Sequence, residues 1–180
     1  MTHLRRFLVL QVLLAWQGGF FFYSAVVVPT GSDVLGGATQ GRVTARVTDV
    51  LNLVGVAGLA VLAWELARTR DPAPRRTAAR WGCWAVALTG QLALFVIHRV
   101  LDSFMDPTRT YIVVRPPFYV VHESYLWAST VQWVAMLAFA WWTIRAWAAE
   151  AVAPAGPQPR SPAEAPAAVD SSPAAPPARI

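Results

Sequence analysis

The sequence predicts an all-α protein, a four-transmembrane-helix bundle followed by a disordered C-terminal tail. Apolar residues make up 56% of the chain, which argues against an ordinary soluble domain. Four segments with few charges approach or reach the length that crosses a hydrocarbon core of about 30 Å. The segment from Glu150 to the end instead combines Pro, Ala and Ser without an aromatic residue. These three observations separate a membrane domain, residues 1–149, from a tail, residues 150–180.

The first predicted span covers about residues 7–29. Its apolar run is about twice as long as that of a signal peptide and lacks a clear cleavage site, so we interpret it as an uncleaved helix. Pro29 and the glycines of "PTGSDVLGG" are expected to end this helix and begin a loop. The second span covers about residues 47–67, and helical spacing begins before it, at Arg42.

The third and fourth spans are bounded by proline. The third covers about residues 81–103 and is expected to end before Pro107, because proline is costly inside a regular helix. The fourth covers about residues 118–147, directly after two prolines of the kind that suit a helix start. The tail then contains eight of the fourteen prolines. It cannot bury enough apolar surface to fold, so we predict a disordered cytoplasmic extension.

Arginine distribution predicts the orientation of the bundle. The segment "RTRDPAPRRTAAR" between spans two and three carries five Arg, and the positive-inside rule places such a short loop in the cytoplasm. Both termini then lie on the same side. All fifteen basic residues are Arg, which is typical of a GC-rich bacterial genome, so we predict a multi-pass protein of the bacterial cytoplasmic membrane.

The net charge of +5 is weak support for nucleic-acid binding. A nucleic-acid-binding surface needs basic residues interleaved with exposed aromatic side chains. Here most aromatic residues lie within the spans and the Arg residues at their edges, as in bilayer proteins generally. We therefore predict the lipid bilayer as the main partner and no nucleic acid. A homo-oligomer or a larger membrane complex is also compatible with a bundle this small.

Polar residues recur three, four or seven positions apart along the spans. In a helix this spacing places them on one face, and lipid offers no hydrogen-bond partners, so that face should point into the bundle. We predict a polar pocket on the periplasmic side that is lined by Asp49, Asn52, Gln91, His98, Asp102, His122, Tyr125, Ser129 and Gln132.

Several functions fit such a pocket. Side chains of these types often join helices by hydrogen bonds with no further role. The leading functional hypothesis is a non-enzymatic module that binds a small ligand or a partner subunit. The alternative is a b-type haem or divalent metal, such as zinc or copper, held by His98 and His122 with Asp102. His98 and Asp102 are four residues apart, which lets both reach one metal from a helix face.

Enzymatic chemistry is the least favoured class. Ser103, Ser124 and Ser129 have His residues nearby in sequence, but no glycine-framed nucleophile turn is present and no oxyanion donors can be named. Cys83 is the single cysteine, which excludes an intramolecular disulfide and a thiolate-rich metal site. We assign no catalytic residue.

The stretch "GGFFFYSAVVVPTGSDVLGG" combines an aromatic first span with a glycine-rich outer loop. It resembles the first helix and loop of small four-helix bacterial membrane proteins of unknown function, which are loosely similar to copper-resistance-D-type domains. The likeness covers the four span positions and this one motif. It implies a four-helix membrane domain and favours metal handling, and it assigns no catalytic residue.

Overall fold

The computed structural model describes residues 2–69, 71–106, 108 and 111–152, and in these residues the chain forms four helices. The all-α prediction is confirmed. The predicted disordered tail lies outside the described residues from position 153 onward. The helices are α1 (Thr2–Leu35), α2 (Gly37–Arg68), α3 (Pro74–Ser103) and α4 (Arg115–Val152).

Helix α1 does not end at Pro29, as the sequence predicts, but continues to Leu35. Two π-helical turns interrupt it, Leu14–Gly18 and Tyr23–Val27. The α-helical pattern starts again at Val28, which puts Pro29 in the first turn of the new segment. Pro29 has no N–H to donate to the preceding turn, and the π-helical turn directly before it is where the regular hydrogen-bond pattern of the helix is already interrupted.

Gly36 alone connects α1 to α2. Its φ of +78° lies in a region that a Cβ atom disfavours, and this conformation reverses the chain in one residue. Further along, Pro116 and Pro117 occupy the first turn of α4, close to the predicted start of span four.

The helices pack in an up-and-down order, with the most extensive contact between α3 and α4, while α2 packs against both α1 and α3. A mid-bundle core joins all four helices. In this core the Trp16 ring lies so close to Gly58 that a Cβ there would be 2.7 Å from Trp16 Cε3. The buried apolar residues of this core are Val9, Trp16, Leu59, Leu62, Leu66, Ala87, Met136, Phe139 and Trp147.

The outer surface of the bundle is apolar. Helices α1, α2 and α3 are long and apolar enough to cross a membrane. Large hydrophobic side chains are exposed on all four helices, for example Phe21, Leu53, Val96 and Leu126. Such a continuous apolar exterior is typical of a protein that lies in lipid.

The two ends of the bundle differ. At one end, Arg5 donates to the Arg68 carbonyl oxygen at 3.3 Å and Arg6 to Glu150 at 2.7 Å. We call this the charged end, and define it by Arg5, Arg6, Glu65, Arg80 and Glu150. The opposite end contains the Gly36 connection and the segment between α3 and α4. We call it the open end because a large cavity lies there.

Candidate ligand-binding cavity

A cavity of about 860 Å³ lies among the helices at the open end. All four helices contribute to its wall, together with Met105, Tyr111 and Ile112 of the segment between α3 and α4. The lining is largely aromatic and aliphatic, with a smaller number of polar groups. Both the volume and the composition are in the range of small-molecule sites.

A second cavity, of about 270 Å³, lies between α2 and α3. Asp49, Asn52, His98 and Asp102 are in its wall, and the last three of these also line the large cavity. All nine residues singled out from the sequence therefore lie on the wall of one cavity or the other. Asp49 is the one that borders only the small cavity.

The two π-helical turns of α1 face the large cavity. Trp16 and Gln17 belong to the first turn, Tyr23 and Ser24 to the second, and all four line the cavity. A π-helical turn contains one extra residue per hydrogen-bonded ring, which rotates the following side chains relative to a regular α-helix, and such turns are frequent at functional sites. Here each of the two turns places two side chains in the wall of the large cavity.

Three buried amides form a chain across the bundle. Gln132 of α4 donates from Nε2 to Gln91 Oε1 of α3 at 3.1 Å. Gln91 in turn donates from Nε2 to Asn52 Oδ1 of α2 at 3.2 Å. These side chains are between 2% and 6% exposed. The chain joins three helices at the inner wall of the cavity.

His98 is held by a carboxylate rather than by the other histidine. Its Nε2 lies 2.8 Å from Asp49 Oδ1 and 3.9 Å from Asp102 Oδ2. The ring is largely buried and lies beside Tyr125, with 6.4 Å between the ring centroids. Asp49 therefore orients the imidazole in the partition between the two cavities.

The polar residues of α4 have separate partners. His122 stacks on Phe118 of its own helix, with ring centroids 5.9 Å apart. Tyr125 donates its hydroxyl to Asn52 Oδ1 at 3.4 Å. Ser129 donates to carbonyl oxygens of its own helix, at 2.8 Å to Tyr125. Of these three side chains, Tyr125 is the one that extends the amide chain.

The described residues contain no group of three or more His, Cys, Asp or Glu side chains placed to hold a metal ion. His98 already has a carboxylate partner, and His122 stacks on a neighbouring ring. The set of His98, His122 and Asp102 predicted from the sequence therefore gains no support from this geometry, although all three line the large cavity.

A polar cluster at the rim of the cavity was missed by the sequence analysis. Gln40 donates to Tyr23 at 3.4 Å and to Thr44 at 3.3 Å, while Tyr23 donates to Thr44 at 3.2 Å. The signal was hidden because the segment after Pro29 was expected to form a loop. Had it been assigned to helices, the spacing of Gln40 and Thr44 would have placed both on one face.

The charged end was also missed. Glu65 is fully buried, and its carboxylate lies 2.8 Å from Arg5 Nε. Trp147 Nε1 donates to it at 2.6 Å, and the hydroxyl of Thr69 donates to the same oxygen. A carboxylate near the end of an apolar span is expensive unless it is paired, and this alone could have drawn attention to Glu65.

Arg80 completes the charged end from α3. Its Nε donates to Thr143 Oγ1 at 3.1 Å, and its guanidinium lies over the ring of Phe139, 5.8 Å from the centroid. The side chain is 1% exposed. Its Nη2 is 3.7 Å from Glu65, an ion-pair distance that is too long for a hydrogen bond. Glu65 and Arg80 thus lie inside the bundle at the charged end, in contact with side chains of the neighbouring helices.

No family model, curated protein or solved structure matches this chain. The resemblance to copper-resistance-D-type domains therefore stays a prediction.

Proposed function

We propose that this chain is a four-span protein of the bacterial cytoplasmic membrane that binds a small, largely apolar molecule in the large cavity. The cavity itself carries the proposal. At about 860 Å³ it is far larger than a packing defect. Its wall combines aromatic and aliphatic surface with polar side chains, several of which are held in place by hydrogen bonds, and this combination binds and orients amphipathic ligands.

The proposal includes α4 as the fourth span. With 38 residues the helix is about 57 Å long at 1.5 Å per residue, well beyond the hydrocarbon thickness. Five of the nine Trp lie on it, and the indole N–H lowers hydropathy although the ring is large and apolar. Val131, Val134, Leu137 and Ile144 are exposed on its surface, where lipid would cover them.

The proposed orientation puts the charged end in the cytoplasm and the open end on the periplasmic side. The loop between α2 and α3 carries most of the Arg excess and lies at the charged end. A reporter fused after Ala79 should therefore read cytoplasmic. A periplasmic reading would reverse the orientation and place the cavity opening on the cytoplasmic side.

Ligand binding can be tested with a neutral aromatic probe, 2-ethylnaphthalene. The purified protein in detergent is dialysed against protein-free micelles, so that partition into the micelles is equal on both sides. The expected result is an excess of probe on the protein side at about one molecule per chain. Absence of an excess at saturating probe would overturn the proposed function.

A matched pair of variants locates the binding site. Ala45 lines the cavity, whereas Ala60 is exposed on the outside of the same helix. Ala45→Phe should fill part of the cavity and abolish the excess of probe, and Ala60→Phe should leave it unchanged. Equal binding by both variants would place the probe on the lipid-facing surface and contradict the proposal.

The haem alternative is decided with the same preparation. His98 and His122 both line the cavity, so haem bound between them would produce a Soret band. That band would have to disappear in both His98→Ala and His122→Ala. A colourless protein that binds 2-ethylnaphthalene would favour the small-ligand function over the haem alternative.

A further inference from the structure

The amide chain has a direction that is fixed at its start. Gln132 donates from Nε2 to the backbone carbonyl oxygen of Ala87 at 3.0 Å. A carbonyl oxygen can only accept, so the nitrogen and oxygen of the Gln132 amide cannot be exchanged. The second N–H of the same nitrogen is directed to Gln91 Oε1.

The orientation of the Gln132 amide also determines the orientations of the Gln91 and Asn52 amides. Because Gln91 accepts with its oxygen, its nitrogen faces α2 and donates to both the carbonyl oxygen and the Oδ1 of Asn52, at 3.4 and 3.2 Å. Tyr125 donates to the same Oδ1. Asn52 Oδ1 is therefore held by two donors from two other helices, which fixes the orientation of its amide.

The chain ends in a donor without an acceptor. Among the described residues, Asn52 Nδ2 meets no hydrogen-bond partner, although the side chain is only 4% exposed. A buried donor left in this state is unfavourable. Nδ2 itself has almost no accessible surface, but Asn52 lies in the wall of both cavities, so an acceptor would reach it as a molecule fills the cavity and the wall adjusts around it.

The charges of the cavity wall indicate what kind of molecule this is. Among the described residues that line the large cavity, the formally charged ones besides histidine are Asp102 and Arg115, which have opposite signs. The two charges offset each other, so an ion in the cavity would meet no net counter-charge and would lose its hydration. The wall therefore suits an uncharged ligand.

We propose that Asn52 anchors the ligand by donating from Nδ2 to an oxygen acceptor, and that the ligand belongs to the class of uncharged, largely apolar carbonyl compounds. This inference rests on the proposed function, because it needs the cavity to be occupied. It adds a chemical class and one anchoring residue. Gln91, Gln132 and Tyr125 act as positioning residues that orient the Asn52 amide.

The test compares two probes of nearly equal shape, 2-acetylnaphthalene and 2-ethylnaphthalene, which differ in the carbonyl oxygen. Both affinities are measured by dialysis against protein-free micelles. For the wild-type protein the ketone should bind about three- to tenfold more tightly than the hydrocarbon once micelle partition is subtracted, the range expected for one neutral hydrogen bond. Ser24→Ala, at another position of the cavity wall, should keep this ratio.

Asn52→Leu removes the donor, and the ratio of the two affinities should fall to about one. Asn52→Asp is the second variant, because it keeps an oxygen for Gln91 and Tyr125 while replacing Nδ2 with an acceptor. In both variants, binding of 2-ethylnaphthalene shows that the cavity is still formed. If one of the two variants fails this check, the other one is used. Gln91→Leu frees the Asn52 amide to turn, so it should also lower the ratio of ketone to hydrocarbon affinity.

The possible outcomes separate the two proposals. If neither probe binds the wild-type protein, both proposals are overturned. If both probes bind equally well, the cavity binds ligands but Asn52 Nδ2 is satisfied by water, and only this inference is lost. A preference for the ketone that survives in the Asn52 variants would likewise overturn the assignment, since another donor would then hold the carbonyl oxygen.

Discussion

The charged end and the open end solve the same problem in opposite ways. Both bring polar side chains from several helices into an apolar bundle. At the charged end, Glu65 is enclosed by Arg5, Arg80 and Trp147, and the four helices close around it. At the open end, the amide chain crosses three helices at the wall of a cavity of about 860 Å³.

This difference indicates which end of the bundle is suited to bind a ligand. Full charges in a low-dielectric interior are costly unless they are paired, so Glu65 needs the nearby guanidinium groups of Arg5 and Arg80. Neutral amides need only one or two hydrogen bonds each, and a chain of them can border an empty space. The polar groups of the charged end stabilise the bundle, whereas those of the open end are available to orient a ligand.

The largest expected effect comes from breaking the charged end. Glu65→Leu leaves Arg5 and Arg80 without their buried counter-charge, and we expect a loss of about 3–5 kcal/mol in the free energy of unfolding. Thermal unfolding in detergent, followed by circular dichroism, measures it. Glu150→Gln is the control, because Glu150 is partly exposed and its pair should contribute about 1 kcal/mol or less. Similar losses in the two variants would show that burial does not distinguish them.

The next effect concerns the core between the two ends. Gly58→Ala places a Cβ 2.7 Å from the Trp16 ring, and overpacking of this kind costs about 1–3 kcal/mol. Gly82→Ala in α3 is the matched control, since a Cβ there meets nothing within 4 Å and alanine favours the helix. We expect the midpoint of thermal unfolding to fall in the first variant and to stay or rise in the second. A stable Gly58→Ala protein would mean that Trp16 can move toward the cavity.

A smaller effect is expected from the amide chain. Gln132→Leu removes the bonds to Ala87 and Gln91, and interhelical hydrogen bonds of this kind contribute about 0.6 kcal/mol each on average. Thr130→Val is the control, because Thr130 donates within its own helix and is exposed. If the stability of Gln132→Leu equals that of wild type while ketone binding is lost, the chain orients ligand without stabilising the bundle.

The smallest effect lies in the loop between α2 and α3. Arg76 donates to both carboxylate oxygens of Asp71, at 2.6 and 2.5 Å, and this hydrogen-bonded pairing lowers the pKa of Asp71. A lowered folded-state pKa stabilises the protein above the ordinary Asp pKa of about 4 and loses that contribution as the pH falls through the lowered value. The unfolding midpoints of wild type and Asp71→Asn should therefore differ at pH 7 and converge at low pH. A constant difference would exclude this carboxylate as its source.

Periodicity was enough to find the candidate site but not its contacts. The spacing of Gln91 and His98 on one span and of Tyr125 and Gln132 on the next predicted polar faces that point inward, because lipid cannot satisfy them. It did not predict that Asp49 would bond His98, since pairing across helices depends on their relative height and rotation. Nor did it indicate the π-helical turns of α1, because "LAWQG" and "YSAVV" have the composition of any apolar helix.

The sequence by itself determined the helical class, the approximate positions of the four helices and the inward polar faces, because helix period and apolar length are local properties of the chain. Only the tertiary structure decided that Glu65 meets Arg5, Arg80 and Trp147 at one end and that Asn52 closes an oriented chain of amides at the other. These contacts join residues 15 to 82 positions apart. Their existence depends on how four helices pack, which no short window of sequence contains.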